Sequence, residues 1–249
     1  MESVWWVFKA LWDKDLIYKD FKVLPYSYGA TTPLSNFEAN LDYRDVDDPA
    51  ITVRLEVLRD HGAARAGDHL LIWTTTPWTL PGNLAVAAGA DIQYARVAGA
   101  IDGLDGTYWL AADLVGSFFP GETPVLATAT GLELVGLEYV PPFDYFGDQR
   151  DRGAFRVIES EDVSVDEGTG LVHMAPAYGE ADFLAFQQAN LDVIVYEGGG
   201  GGIFRLGLHH DTPLCAAQLR FDMRDMRSAG NDCGGSKLLW IGAARQRLL

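Results

Sequence analysis

The sequence predicts a β-rich α+β fold whose main body is a closed, barrel-like sheet, preceded by a short helical piece. Apolar and polar residues alternate with period two from Ala50 onward. Short strand candidates then recur between Gly, Pro and Asp turn signals, and helical periodicity is confined to a few stretches.

In chain order, residues 3–16 place Val4, Trp5, Phe8, Leu11 and Trp12 at helical spacing with Lys9 and Asp13 off the stripe, which predicts an amphipathic helix. Large apolar groups on one face need a partner, and the short strand expected at residues 22–26 is too small to provide it. Residues 1–45 are therefore expected to be a piece of a larger domain. Next, Ile51, Val53, Leu55 and Val57 alternate against Thr52, Arg54 and Glu56 as a half-buried strand does. Further strands are expected at residues 69–76, 84–88, 92–97, 108–110, 125–128, 155–158, 171–174 and 193–196, and so many short strands favour a sheet closed on itself. Residues 180–189 put Phe183 and Phe186 on one side of a helix, and residues 111–118 predict a shorter one. Residues 198–202 are all glycine, which loses the most backbone entropy on ordering and suits a linker. The chain then divides into residues 1–45, a main domain over 46–197, and a Gly-rich linker with an atypical tail, expected to be poorly packed, over 198–249.

Composition narrows the function. The 249 residues are 48% apolar and 12% aromatic, enough for one large core or two modest ones. No apolar run approaches the ~18 residues of a membrane helix, and the start is not a secretion signal, so a cytoplasmic protein without membrane attachment is expected. Cys215 and Cys233 lie far apart and outside any C-x-x-C pair, which leaves no basis for metal or redox chemistry. With 19 Lys+Arg against 35 Asp+Glu the net charge is −16, a sign that repels phosphate backbones at long range. The charge is uneven: residues 198–249 carry seven Lys/Arg and four Asp, and residues 1–197 carry −19.

Two stretches carry chemistry. The first runs Leu71-Ile72-Trp73-Thr74-Thr75-Thr76-Pro77-Trp78-Thr79-Leu80-Pro81-Gly82-Asn83. A threonine run is ordinarily just a strand, since β-branched residues favour sheets. Here alternation sends Thr74 and Thr76 to one face and Thr75 to the other just where Pro77 must end the pairing, leaving hydroxyls at a strand end to hold a water or an ester. The second runs from Glu167 through Gly168-Thr169-Gly170-Leu171-Val172-His173-Met174-Ala175-Pro176-Ala177 to Asp182-Phe183. A lone strand histidine is usually a hydrogen-bonded core residue, and a carboxylate in a first helical turn serves the helix dipole. Together they set a histidine at a strand end and Asp182 at the next helix start, across a small-residue loop that lets a ligand approach closely.

Trp73 to Asn83 and Gly168 to Phe183 resemble the two signature stretches of the inserted editing domain of isoleucyl-tRNA synthetases, a class I family. Glu2-Ser3-Val4-Trp5-Trp6, Lys22 to Ser27 and Thr32 to Glu38 resemble the end of that family's first catalytic half and the lead into the insertion, so the resemblance covers residues 2–196. It implies that residues 46–197 are an editing domain that hydrolyses mistakenly made valyl-tRNA in a pocket too small for isoleucine. Asp182 would bind the α-ammonium and His173 would line the size-limiting wall. Thr74, Thr75, Thr76 and Asn83 would position the terminal adenosine, the ester and the attacking water, with Trp73 and Thr79 also against the substrate. The implied partners are the acceptor end of tRNA(Ile), held weakly, and the remaining synthetase half. No covalent nucleophile, metal or cofactor is required; ATP and Mg²⁺ belong to the parent enzyme's other site, and neither a His-Ile-Gly-His-type nor a Lys-Met-Ser-Lys-Ser-type string occurs in this chain. Relatives carrying a Cys pair near Tyr26 to Thr31 differ from this chain there, and the family pattern stops close to Val195-Tyr196-Glu197, as a truncated or frame-shifted reading would produce. A non-catalytic RNA or synthetase accessory is the alternative. A nucleotide-binding loop at the glycine run lacks the lysine and the helix start such loops need.

Overall fold

The structure, a computed structural model, describes residues 1–17, 24–27, 30–39, 41, 45–121, 123–143, 145–191, 238–239 and 243–247. The first helix, α1, is Glu2–Trp12, and it buries none of its residues: Trp5 meets Phe8 edge-on and Phe8 stacks on Trp12 along an open face. A small antiparallel pair, β1 (Tyr26–Ser27) and β2 (Thr32–Pro33), and one helical turn, α2 (Asn36–Ala39), follow. β3 is Asp45–Pro49.

The alternating stretch forms β4 (Ile51–Glu56), whose Ile51, Val53 and Leu55 enter the main core. β4 pairs antiparallel with the whole of β5 (His69–Thr74), from Ile51 opposite Thr74 to Glu56 opposite His69. The strand expected to run to residue 76 thus stops at Thr74, because a 3-10 helix, Pro77–Gly82, begins with a ring that has no N–H to give a ladder. β6 (Ala85–Ala88) comes next. β7 (Gln93–Ile101) and β8 (Leu104–Ala111) form a hairpin whose two-residue turn, Asp102 (φ 49°) and Gly103 (φ 77°), is left-handed at both positions. After a 3-10 turn, α3 (Val115–Phe118) and β9 (Val125–Thr130), α4 (Gly131–Leu134) is closed by a capping box between Thr130 and Glu133. β10 (Arg156–Glu159), β11 (Leu171–Met174) and α5 (Glu180–Gln188) complete the main body.

The sheet is mixed and nine-stranded, in the order β10-β6-β11-β5-β8-β7-β9, with β4 also on β5 and β12 (Leu238–Leu239) on β4. β8 lies parallel to the first half of β5 and β11 parallel to its second half, at Val172 opposite Trp73. Residues 137–140 close a ring: Tyr139 N–H donates to Phe155 O and Val157 N–H to Leu137 O on the β10 side, while Leu58 N–H donates to Glu138 O and Val140 N–H to Glu56 O on the β4 side. Hydrogen bonds therefore circle through β4, β5, β11, β6, β10 and back, which satisfies groups an open edge would leave unpaired. Val53, Leu55, Leu70, Ile72, Val86, Tyr139, Phe155 and Val157 share the core of that ring. A second cluster, with Leu71, Val97, Tyr108, Leu110 and Phe119, fills the space outside it under β7 and β8.

Asp68, just ahead of β5, ties the two together. Its carboxylate accepts Arg96 Nε and Nη2 at 2.8 Å each, Trp109 Nε1 at 3.1 Å and Arg65 N–H at 2.8 Å. Burial works to raise its pKa, but these donors outweigh burial and hold the carboxyl below its ordinary value.

Within the last 52 residues, β12 (Leu238–Leu239) pairs with β4 and β13 (Ala243–Arg247) with β3. The strand expected at 193–196, the glycine run, Cys215 and Cys233 lie outside the described residues.

Candidate active site at the ends of two parallel strands

Because β5 and β11 run parallel and adjacent, they leave the sheet at the same end, and both chemistry-bearing stretches leave with them. At the end of β5, Thr74 Oγ1 accepts the Thr76 N–H at 3.1 Å and lies 3.2 Å from Thr76 Oγ1, so these two hydroxyls share a face. Thr75, at the bend between them, is half-buried. The 3-10 turn then returns Thr79, whose hydroxyl donates to Thr76 O at 2.8 Å and lies 3.4 Å from Thr76 Oγ1.

His173, near the end of β11, is buried between that turn and Asn83. Its Nδ1 is 2.8 Å from Asn83 Nδ2 and its Nε2 is 2.8 Å from Thr79 Oγ1. An amide nitrogen can only donate, so Nδ1 is the unprotonated nitrogen and the ring proton sits on Nε2, donated to Thr79. Thr79 can receive it because its own hydrogen goes to Thr76 O. Desolvation pulls the His173 pKa down to about 4, so the ring is neutral at neutral pH. Asn83 is likewise filled: Nδ2 donates to Ala85 O at 3.0 Å as well as to the ring, and Oδ1 accepts the Tyr139 hydroxyl at 2.6 Å.

Asp182 stands in the first turn of α5 with its Oδ2 accepting Ala175 N–H, just past β11, at 2.7 Å. Burial raises its pKa, the bond to Ala175 and one to its own N–H oppose that, and the charge of nearby Asp162 adds to the rise. Trp73 is half-buried and packed on Gly168, where a Cβ would meet Trp73 Cε3 at 2.8 Å and where φ is +75°; both facts require glycine.

The structure thus joins Thr74, Thr76, Thr79, His173 and Asn83 in one hydrogen-bonded chain and sets Asp182 and Trp73 on its borders through Ala175 and β5. Sequence reasoning missed Tyr139. It belongs to neither signature stretch, and only its partnership with Asn83 reveals it. Among the described residues no group of His, Cys, Asp or Glu is placed to hold a metal ion.

Comparison with known proteins shows the family of the chain. The family described as tRNA synthetases class I (I, L, M and V) matches residues 1–216, and the chain belongs to that family. Within it, the chain is similar to isoleucine–tRNA ligases: it is 49% identical over 197 residues to that of Bdellovibrio bacteriovorus and 45% identical over 197 residues to that of Chlamydia pneumoniae. Each match takes in 78% of this chain but only 18% of the relative, so the chain spans less than a fifth of the length of those proteins. Among solved structures, the P. knowlesi cytosolic leucyl-tRNA synthetase editing domain overlaps 59% of this chain and 64% of its own at 13% identity and a TM-score of 0.44, a likeness too loose to bear on this chain's chemistry.

Proposed function

We propose that this chain carries the hydrolytic editing site of an isoleucine–tRNA ligase and removes valine wrongly esterified to tRNA. The observation that carries the reading is the junction of the two parallel strand ends: a threonine loop bonded to a neutral His173 held in one tautomer, with the Asp182 carboxylate at the adjoining helix start. The 45–49% identity to isoleucine–tRNA ligases over the same residues supports it.

In the reaction, a water adds to the ester carbonyl carbon, the bond from that carbon to the terminal ribose oxygen breaks, the ribose oxygen takes a proton, and valine leaves with a new carboxyl group. Asp182 pairs with the substrate's α-ammonium, a cation that offsets the cost of its burial. Thr74, Thr75 and Thr76 orient the water and the terminal ribose, with Thr79 behind them and Trp73 at the rim. His173 acts by shape: one nitrogen is engaged as acceptor and the other as donor, so the ring excludes the extra methylene of isoleucine rather than moving a proton. Isoleucine–tRNA ligases are a standard example of such a second sieve. Asn83, with its amide filled from inside the chain, supports the ring rather than touching the adenosine.

Activation of isoleucine with ATP and Mg²⁺ is assigned to parts of the parent enzyme outside this chain, so the isolated chain is expected to show no isoleucine-dependent ATP–pyrophosphate exchange. Its charge of −16 predicts weak, salt-sensitive binding of the tRNA acceptor end. That charge and the missing ATP-handling motifs are the features favouring a non-catalytic accessory. Deacylation separates the readings: valyl-tRNA(Ile) should be hydrolysed and isoleucyl-tRNA(Ile) spared. Loss of a charge-assisted contact worth about 1.5–3 kcal/mol makes Asp182→Ala about 10- to 150-fold slower, while His173→Ala should begin to hydrolyse isoleucyl-tRNA. Wild-type rates from Asp182→Ala would overturn the assignment.

A further inference from the structure

The hydrogen-bonded chain has a direction, and its origin lies outside both signature stretches. It starts on the segment that closes the ring. Tyr139 is fully buried, its N–H bonded to Phe155 O at 3.1 Å and its carbonyl accepting Arg150 Nη2 at 3.1 Å. Its ring sits edge-on to Phe155, with centroids 6.3 Å apart. Glu138 beside it is paired with Arg59 and Arg150, and Val140 N–H donates to Glu56 O, so both neighbours of the tyrosine are tied down. From there the hydroxyl donates to Asn83 Oδ1, Asn83 Nδ2 to His173 Nδ1, His173 Nε2 to Thr79 Oγ1, and Thr79 Oγ1 to Thr76 O.

Each step fixes the next. An amide has two orientations that differ by a half-turn, and what selects between them is which neighbours give hydrogens and which accept them. Ala85 O, which needs a donor, selects the orientation of Asn83, and the Tyr139 hydroxyl, which could bond either end of the amide, then fixes its place by donating to Oδ1. The amide orientation in turn decides which His173 nitrogen carries the proton, and therefore whether Thr79 receives a hydrogen or is left with two acceptors face to face. We infer that Tyr139 is a positioning residue for specificity: through Asn83 it holds the size-limiting ring of His173 in one pose, and so ties the selectivity of the site to the closing segment of the barrel. This rests on the editing function proposed above.

The test compares the full chain with Tyr139→Phe, which keeps the ring and removes only the hydroxyl. Tyr108→Phe serves as control, since it deletes the hydroxyl of another buried tyrosine, in the second cluster, bonded to Leu104 O. Nitrogen-15 shifts of the labelled His173 ring report its tautomer and the hydrogen bonds at each nitrogen. All three proteins should show the Nε2–H form, which Ala85 O selects through Asn83, and Tyr139→Phe alone should move the Nδ1 shift as the bond from Asn83 loosens. Losing one anchoring hydrogen bond should lower the ratio of valyl- to isoleucyl-tRNA hydrolysis by about fivefold, with the valyl rate changed less than the ratio. A merely structural tyrosine would lower both rates together and leave the ring shifts alone. Unchanged shifts in Tyr139→Phe overturn the inference. Altered shifts with an unchanged ratio overturn its claim on specificity. If the wild type hydrolyses neither ester, the editing reading fails and the shifts still decide whether Tyr139 positions the ring. Should Tyr139→Phe not fold, 3-fluorotyrosine at position 139 takes its place: it keeps the ring and makes the hydroxyl a stronger donor, and His173 ring shifts identical to wild type would overturn the inference.

Discussion

Asp68 and Asp182 are two carboxylates at opposite ends of the same pair of strands, and their surroundings differ in kind. Asp68 receives two guanidinium bonds, an indole N–H and a backbone N–H, and its pKa lies below the ordinary value despite burial. Asp182 receives backbone N–H groups, is paired with no Lys or Arg among the described residues, and its pKa lies above the ordinary value. The first is a finished joint whose cation is built in. The second has the acceptor half of an ion pair without the cation, and its proposed pairing with the substrate's ammonium rests on that difference.

The largest way to break that contrast is Asp68→Ala, which leaves Arg96 and the fully buried Trp109 indole without their acceptor. It is expected to cost about 3–5 kcal/mol of stability by urea denaturation; a loss below about 1 kcal/mol, the range of a surface pair, would deny the joint its role. Next is acid sensitivity at His173. The unfolded ring takes a proton near pH 6.5 and the folded ring only near about 4, so the unfolded state binds the proton first as pH falls. Up to about 3 kcal/mol should be lost between those pH values, and His173→Gln should flatten that part of the stability profile. The smallest effect sharpens the comparison. A raised folded pKa means the charged form of Asp182 is disfavoured by folding, so stability falls as pH rises above the usual carboxylate range. Asp182→Asn, which can still accept the Ala175 N–H, should therefore have a Tm at pH 7 no lower than wild type while losing deacylation. A lower Tm would make Asp182 structural like Asp68.

Strand positions were legible wherever large apolar residues alternated, as at Ile51 to Val57 and Leu171 to Met174. They were underread where small residues blur the alternation: β7 runs on through Ala98, Gly99 and Ala100, and β8 begins at Leu104. The Asp102-Gly103 turn and the Thr130-x-x-Glu133 capping box carry local signals that were not among the expectations from sequence. The site was visible as two strings, because strand ends and helix starts leave local marks. What held it was not. Tyr139 lies 56 residues from Asn83 and 34 from His173, and Asp68 meets Arg96 and Trp109 across strands, so only the register that folds them together reveals either partnership.

The manner in which the ring closes bears on how this chain reaches its native state. β4 must meet residues 137–140, and β6 must meet first β10 and then β11, so closure waits on segments separated by most of the domain. Non-local pairings of that kind incur loop-closure entropy before contact energy is returned, and they fold in milliseconds to seconds rather than microseconds. A ribosome that has released the chain only through residue 134 has delivered β4 to β9 but none of the strands that seal them. In that interval β6 has neither of its neighbours, and its unpaired Ala-Val-Ala-Ala backbone is open to pairing with another nascent copy.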